Sequence, residues 1–408
     1  MSAQTRGKWK PIILFSLIAI TIILIISAKT GLWVLTAIPV GFLFGFFLEK
    51  ADLCGASAFS EIILVKDWQK FLGICTVIVV SMIGFAALSA LGWVKLNPKP
   101  MIWANYIVGG IAFGVGIVLA GGCVSGCLFK SGQGNLNSMA GLVGIPLGVA
   151  AVEYGPLHGV TMYLKQFIIK APGGSSVTFS SVTGLPYGLL AAIFAVVAVM
   201  VAWMLKKKQP AHANNIKKDD MPFSQRIMTK SWKPWQAGIA IGILACFAYL
   251  SSAASGRNYP LGVTHGVLHA QLLLTDAPLK HVYAPKAPSL AVQKAVGASM
   301  ANPEKPAKKV SWWLILEVFA LVLGAFTSAK LSNKIKFLPR PPDQTAIAFF
   351  GGILLGIGAA IAGGCVVGNI MSGVALMSVG NVIFFATVVL ANWVTTWFYL
   401  MGGSLLKS

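Results

Sequence analysis

Two stretches of this chain are near-copies of each other. Gly109–Gly126 reads GGIAFGVGIVLAGGCVSG and Gly351–Gly368 reads GGILLGIGAAIAGGCVVG, with eleven of eighteen aligned positions identical. Each copy carries Ala-Gly-Gly-Cys-Val-x-Gly, once around Cys123 and once around Cys365, inside strongly apolar sequence. An internal duplication of this kind predicts two structural repeats that bury a shared interface. In membrane proteins, transported substrates tend to bind at such interfaces.

The surrounding composition places the repeats in a membrane. Of 408 residues, 56% are hydrophobic and 11% are charged, against about 25% charged in a soluble domain. Many apolar runs approach or reach the roughly 20 residues that a helix needs to cross a bilayer. The expected fold is an all-α membrane protein of two pseudo-symmetric halves, with about nine transmembrane helices plus re-entrant half-helices. Spans are expected at 11–28, 33–49, 71–92, 105–122, 181–206, 236–254, 311–330, 347–363 and 379–401. Segments 54–65, 136–155, 158–171, 262–274 and 367–377 are too short or too glycine-broken to cross alone and are read as half-helices. Such breaks persist at membrane depth only where protein or a water-filled cavity surrounds them.

The organisation follows. Residues 1–206 form an N-terminal membrane repeat, 207–235 a basic linker, and 236–408 a C-terminal repeat carrying a flexible insertion at 275–310. Lys206–Lys208, Lys217, Lys218, Arg226, Lys230 and Lys233 make the linker cytoplasmic by the positive-inside rule. The basic start Arg6-Gly7-Lys8-Trp9-Lys10 precedes an apolar run without a clear small-x-small cleavage site. It reads as the first membrane helix with a cytoplasmic N-terminus rather than as a signal peptide.

The net charge of +21 (32 basic minus 11 acidic residues) would point to nucleic acid in a soluble protein. Here the charges fall mostly in loops and tails, where they meet anionic membrane lipid, and nucleic acid is not an expected partner. The same excess favours an anionic substrate over a cationic one.

Six cysteines occur, with no CxxC pair and no zinc-like spacing. Cys123 and Cys365 follow paired glycines, Gly121-Gly122 and Gly363-Gly364, that can end one helix before a short one begins. The free amides of that restart favour an anion. A neutral thiol there is a weak, soft donor that meets a sulfur anion without adding like charge. The bland reading is that small residues and cysteine only pack helices closely. GxxxG pairs at Gly110/Gly114 and Gly352/Gly356 suit such packing.

Cys54 stands at another apparent break, in Asp52-Leu53-Cys54-Gly55, and aligns weakly with Leu261 of the second half. Cys127 lies one turn after Cys123, as a pore liner or redox partner, with Asn369 as its counterpart. Cys75 and Cys246 fall in ordinary spans and read as packing residues. His265 and His269 lack a third metal ligand, so no metal or cofactor is expected. Glu61, Glu153 and Glu317 lie in or near apolar segments, where a carboxylate can mark proton coupling or merely an interfacial position.

At these residues the chain resembles the YeeE/YedE family of bacterial sulfur-transport proteins. Ala120–Gly126, Ala362–Gly368, Ser372-Gly373 and Gly324–Leu331 carry the resemblance, which covers most of the chain. The selenium-associated branch, with Gly-Cys-Pro, does not match, because that tripeptide is absent. The resemblance implies a multi-pass bacterial inner-membrane protein that imports thiosulfate or a similar small sulfur anion. It also implies a cysteine-lined path of Cys54, Cys123 and Cys365, flanked here by Gly122, Gly364 and Cys127, and a cytoplasmic sulfur-carrier or sulfurtransferase partner. The competing expectation is a membrane thiol-disulfide oxidoreductase using Cys123 and Cys127. Cys127 and the long 275–310 insertion depart from the family pattern.

Overall fold

The computed structural model describes residues 9–171, 174–208, 228–275, 279–282, 308–335, 337 and 341–402. Helix α1 (Trp9–Thr30) precedes α2 (Ala37–Ala51), α3 (Gly55–Leu64), α4 (Gln69–Ala90), α5 (Trp103–Leu119), α6 (Val124–Gly132) and α7 (Leu136–Glu153). After α8 (His158–Leu164), α9 (Phe179–Thr183) and α10 (Tyr187–Lys208) come α11 (Pro234–Ala254), α12 (Thr264–Thr275), α13 (Trp312–Leu331) and α14 (Pro342–Ile361). A π-helical segment (Val366–Val374) and α15 (Val379–Thr396) complete the second half. Among the described residues, nine segments are long and apolar enough to cross a membrane. Among the described residues, sheet is confined to two small pairs, β1 (Met101–Ile102) with β2 (Ile168–Ile169), and β3 (Leu279–Val282) with β4 (Lys308–Ser311).

The two halves interlock. α13 packs on α2 as α11 packs on α4, and α14 packs on α7 as α5 packs on α15. Where α5 crosses α14, contacts come in pairs offset by 242 residues. A Cβ on Gly109 would lie 2.7 Å from Ala362 N, and one on Gly351 would lie 2.5 Å from Ala120 N. The same holds for Gly116 against Leu355 N (2.5 Å) and Gly358 against Phe113 N (2.3 Å). Only glycine permits this backbone approach. The GxxxG pairs serve the flanking contacts as expected: Gly110 and Gly114 meet Thr387 and Ala391 of α15, while Gly352 and Gly356 meet Gly141 and Ile145 of α7.

Three expected segments differ. Residues 136–155 were expected to form a half-helix, yet α7 is 18 residues long and one of the nine candidate spans. Its glycines are packing surfaces rather than breaks: a Cβ on Gly144 would lie 2.3 Å from Phe349 O. In the expected 181–206 span, Gly184 turns left-handed after α9, and the apolar helix begins only at Tyr187. The 158–171 segment divides into α8 and strand β2.

Residues 209–227 of the basic segment and most of 275–310 lie outside the described residues. The ends of the insertion pair in parallel, Leu279 with Lys308 through Val282 with Ser311. At the described C-terminal end of the basic segment, Trp232 N donates to Lys50 O (2.8 Å) and the Trp232 ring stacks on Phe47. Lys50 Nζ is in turn held by Met228 O (2.6 Å) and Ser332 Oγ (2.7 Å).

Candidate functional site

Each of the three candidate cysteines occupies the residue immediately before a short helix. Cys54 precedes α3, Cys123 precedes α6, and Cys365 precedes the π-helical segment, all with extended backbone. Their carbonyls accept the first turn's bonds, from Ala58 N (2.9 Å), Cys127 N (2.7 Å) and Asn369 N (2.7 Å). The thiols therefore sit beside the unpaired amides of a helix start, where partial positive charge accumulates. The same bond from Val267 N to Val263 O (3.2 Å) puts Val263 in this position before α12. Leu261, the expected counterpart of Cys54, is thus two residues out of register. The glycine that suggested the alignment, Gly262, instead makes room for Arg257, whose guanidinium nitrogen would lie 2.6 Å from a Cβ there.

The structure brings the helix starts together. Cys54 Sγ and Cys123 Sγ are 3.8 Å apart, and Ser125 Oγ is 3.4 Å from Cys123 Sγ. Gly126 makes this approach possible, since a Cβ on it would lie 2.4 Å from Cys54 Sγ. Gly55 packs against the Val366 side chain, which joins the Cys54 helix to the one that follows Cys365. All three cysteines are buried.

The paired glycines shape the turn above each thiol. Gly121 (φ 67°) and Gly363 (φ 66°) are left-handed, which favours glycine, and both are exposed. Gly122 and Gly364 face repeat-related side chains, Cys127 and Asn369. Cys127 Sγ donates to Gly122 O (3.6 Å), and Asn369 Nδ2 donates to Ala362 O (3.0 Å) and Gly364 O (3.1 Å). Position 127 thus braces its own turn, and the sulfur next to Cys123 belongs to Cys54 instead. All six cysteines are free thiols. The contacts do not favour the Cys123–Cys127 pairing on which the redox expectation rested.

Three cations escaped the sequence reading. Lys130 Nζ donates to Gly121 O (2.8 Å), and Lys99 Nζ donates to the repeat-related Gly363 O (2.6 Å) and to Asn369 Oδ1 (2.7 Å). The two lysines are not repeat mates: Lys130 lies on α6, whereas Lys99 comes from the loop before α5. Arg257 donates to Tyr259 O (3.1 Å) and Pro260 O (2.6 Å) and lies over the Trp313 ring. Pro98-Lys99-Pro100, a cation locked between prolines, was the one local signal in sequence.

A cavity of about 370 Å³ opens beside Cys365, lined by Lys99, Arg257, Lys309, His265, Gly363 and Gly364 among others. Burial pulls the Lys99 ammonium down to about 7, opposed by the nearby Cys365 sulfur and reinforced by Arg257. On the Cys54 side, Lys70 Nζ bridges Asp52 Oδ2 (2.8 Å) and Glu61 Oε1 (2.7 Å), which accounts for Glu61 structurally. Glu153 Oε1 lies 3.6 Å from His265 Nε2.

The comparisons with known proteins agree with this architecture. A thiosulfate transporter, TsuA, of Spirochaeta thermophila is 29% identical over 374 residues, covering 89% of this chain and 98% of that protein. The Escherichia coli protein of the same name is 24% identical, covering 89% of this chain and 94% of that protein. A probable transporter of Escherichia coli, YedE, is 36% identical over 96 residues, 23% of either chain. These relatives are transporters, and the protein is a multi-pass membrane transporter rather than an enzyme. With the sulphur transport family model matching residues 50–394, both glycine-cysteine turns and the helices that hold them included, the chain belongs to the sulphur transport family.

Proposed function

We propose that this protein imports thiosulfate, or a closely similar small sulfur anion, through a path in which Cys54, Cys123 and Cys365 contact the terminal sulfur in turn. The observation that carries the reading is the convergence of thiols at helix starts, with Cys54 Sγ 3.8 Å from Cys123 Sγ. A neutral S–H donates weakly to a soft sulfur, and the helix-start amides favour the negative charge. No covalent bond forms or breaks. The names of the two full-length relatives support thiosulfate as the anion.

The cavity beside Cys365 is the entrance, where Lys99, Arg257 and Lys309 concentrate anions. The Lys50 and Trp232 end is the cytoplasmic side, because the basic stretch 207–235 adjoins it. In this reading residues 1–206 and 236–408 are the two repeats, joined by that linker, in a bacterial inner membrane. A small sulfur carrier or sulfurtransferase receives the anion near Asp52 and Lys130, and anionic lipid neutralises the basic loops.

The test is uptake of labelled thiosulfate in bacterial cells that lack other importers. Wild-type uptake that Cys123→Ala and Cys365→Ala each abolish at equal membrane expression supports the relay. Uptake that persists in both variants removes the relay and keeps the transporter. Failure of the wild type to take up thiosulfate removes that substrate.

A further inference from the structure

Among the described residues, Glu317 is the carboxylate that neither the fold nor the cysteine path accounts for. It lies on α13, its side chain is fully buried, and no side chain donates a hydrogen bond to either carboxylate oxygen. An ionised carboxylate left that way in a membrane span is costly, and such residues belong to ion or proton paths far more often than to packing. Among the described residues the other buried acid, Glu49, is paired with Ser328, Lys334 and Gln133, and the half-buried Glu61 is paired with Lys70.

Its surroundings connect it to the entrance cavity. Gly262 and Leu314 line that cavity, and Glu317 follows Leu314 by three residues on the same helix. The polar groups acting on its carboxylate are the Arg257 guanidinium and the Gly262 backbone. Arg257 itself lines the cavity, as do His265, His269 and Lys99. Thr264, another cavity residue, also has a buried hydroxyl without a partner. From the other elements packed on α13, α2 presents Gly41 to the Glu317 backbone, and its Glu49 and Lys50 lie two turns away in their own pairs. α12 contributes His265 and His269, with Glu153 of α7 held to His265, and β4 contributes Lys309. Lys130 of α6 is engaged with Gly121.

We propose that Glu317 is the proton-binding site of a proton-coupled anion importer, with Arg257 as the group through which proton and anion sense each other. When Glu317 is ionised, its charge offsets that of Arg257 and the cavity attracts an anion less. A proton from the cavity side converts the carboxylate to neutral carboxylic acid and leaves the Arg257 charge to the incoming anion. After the anion has passed the thiols, the proton leaves Glu317 to the other side and the carboxylate again faces Arg257. One proton and one anion move per cycle, and nothing is oxidised or reduced. By reciprocity, each of the two raises the affinity for the other.

This inference rests on the anion-import reading, and one experiment separates the two. The purified full chain is reconstituted in vesicles with the membrane potential clamped, and labelled thiosulfate and external pH are followed together. The expected result is that thiosulfate addition alkalinises the outside, and that an acid-outside gradient raises steady-state accumulation about tenfold per pH unit. Glu317→Gln, fixed in the neutral form, should still bind thiosulfate, with only the pH dependence that Lys99 supplies, but lose proton movement and uphill accumulation. Glu317→Asp should retain proton movement. Wild-type uptake without proton movement, or Glu317→Gln that still follows the gradient, overturns the coupling and leaves the import reading standing. No thiosulfate uptake by the wild type overturns both.

Discussion

Cys54 and Cys123 place their sulfurs 3.8 Å apart although 69 residues separate them, and the atom that would intrude is a Cβ on Gly126. That Cβ would lie 2.4 Å from Cys54 Sγ and 3.4 Å from Cys123 Sγ. The repeat mate of Gly126 is Gly368, where an added Cβ meets nothing within 4 Å. The halves are therefore alike in sequence and unlike in tolerance.

Gly126→Ala should reduce thiosulfate uptake at least about tenfold and cost about 1–3 kcal/mol through overpacking. Gly368→Ala should leave both uptake and stability close to wild type. Uptake assays at matched expression, with thermal unfolding in detergent, check the pair. Equal losses in the two variants would mean that the thiol contact is not what Gly126 protects.

The antiparallel crossing of α5 and α14 should be the mechanical centre of the fold. Gly116→Ala and Gly358→Ala each drive a methyl into opposing backbone, at 2.5 Å and 2.3 Å. Each is expected to cost about 1–3 kcal/mol. Gly188→Ala on α10, with open space around it, should be neutral or slightly stabilising, because alanine is the better helix former. Melting temperatures of the three variants in one detergent decide it.

The glycine-cysteine turns and the GxxxG faces were legible in sequence because their physics is local: only glycine turns left-handed at low cost or lets backbones touch. The placement of Cys54, Cys123 and Cys365 at helix starts was legible for the same reason, each following a visible break. Lys99, Lys130 and Arg257 were not, because a cation that serves a carbonyl looks the same in sequence as one in water. α7 was misread since Gly144 and Gly148 look like breaks until α14 is laid against them. The counterpart of Cys54 was misplaced because Gly262 answers to Arg257, a contact that local sequence does not reveal.

Lys99 should set part of the pH response of anion capture. Its ammonium is pulled down to about 7, first by burial. Below that pH it is charged and the cavity attracts anions, and above it that charge is lost. The KM for thiosulfate should therefore rise as external pH passes upward through about 7. Lys99→Arg, which stays charged, should flatten that rise, and Lys99→Gln should show the raised KM at all pH values. Neither variant should abolish proton movement, which separates this effect from that of Glu317.

Cys127 should prove dispensable where Cys123 is not. Its thiol turns back to Gly122 O at 3.6 Å, the bracing role that Asn369 performs in the other half. A serine hydroxyl can make the same bond, so Cys127→Ser should keep uptake within about twofold of wild type. Cys123→Ser keeps a donor but replaces a soft sulfur with a hard oxygen, 3.8 Å from Cys54 in the wild type. Its uptake should fall at least about tenfold, since only the polarisable thiol suits the terminal sulfur of the anion. A thiol oxidoreductase built on Cys123 and Cys127 would instead lose function equally in both variants. Parallel uptake and thiol titration of the two serine variants therefore distinguish contact with a passing sulfur from redox exchange between neighbours.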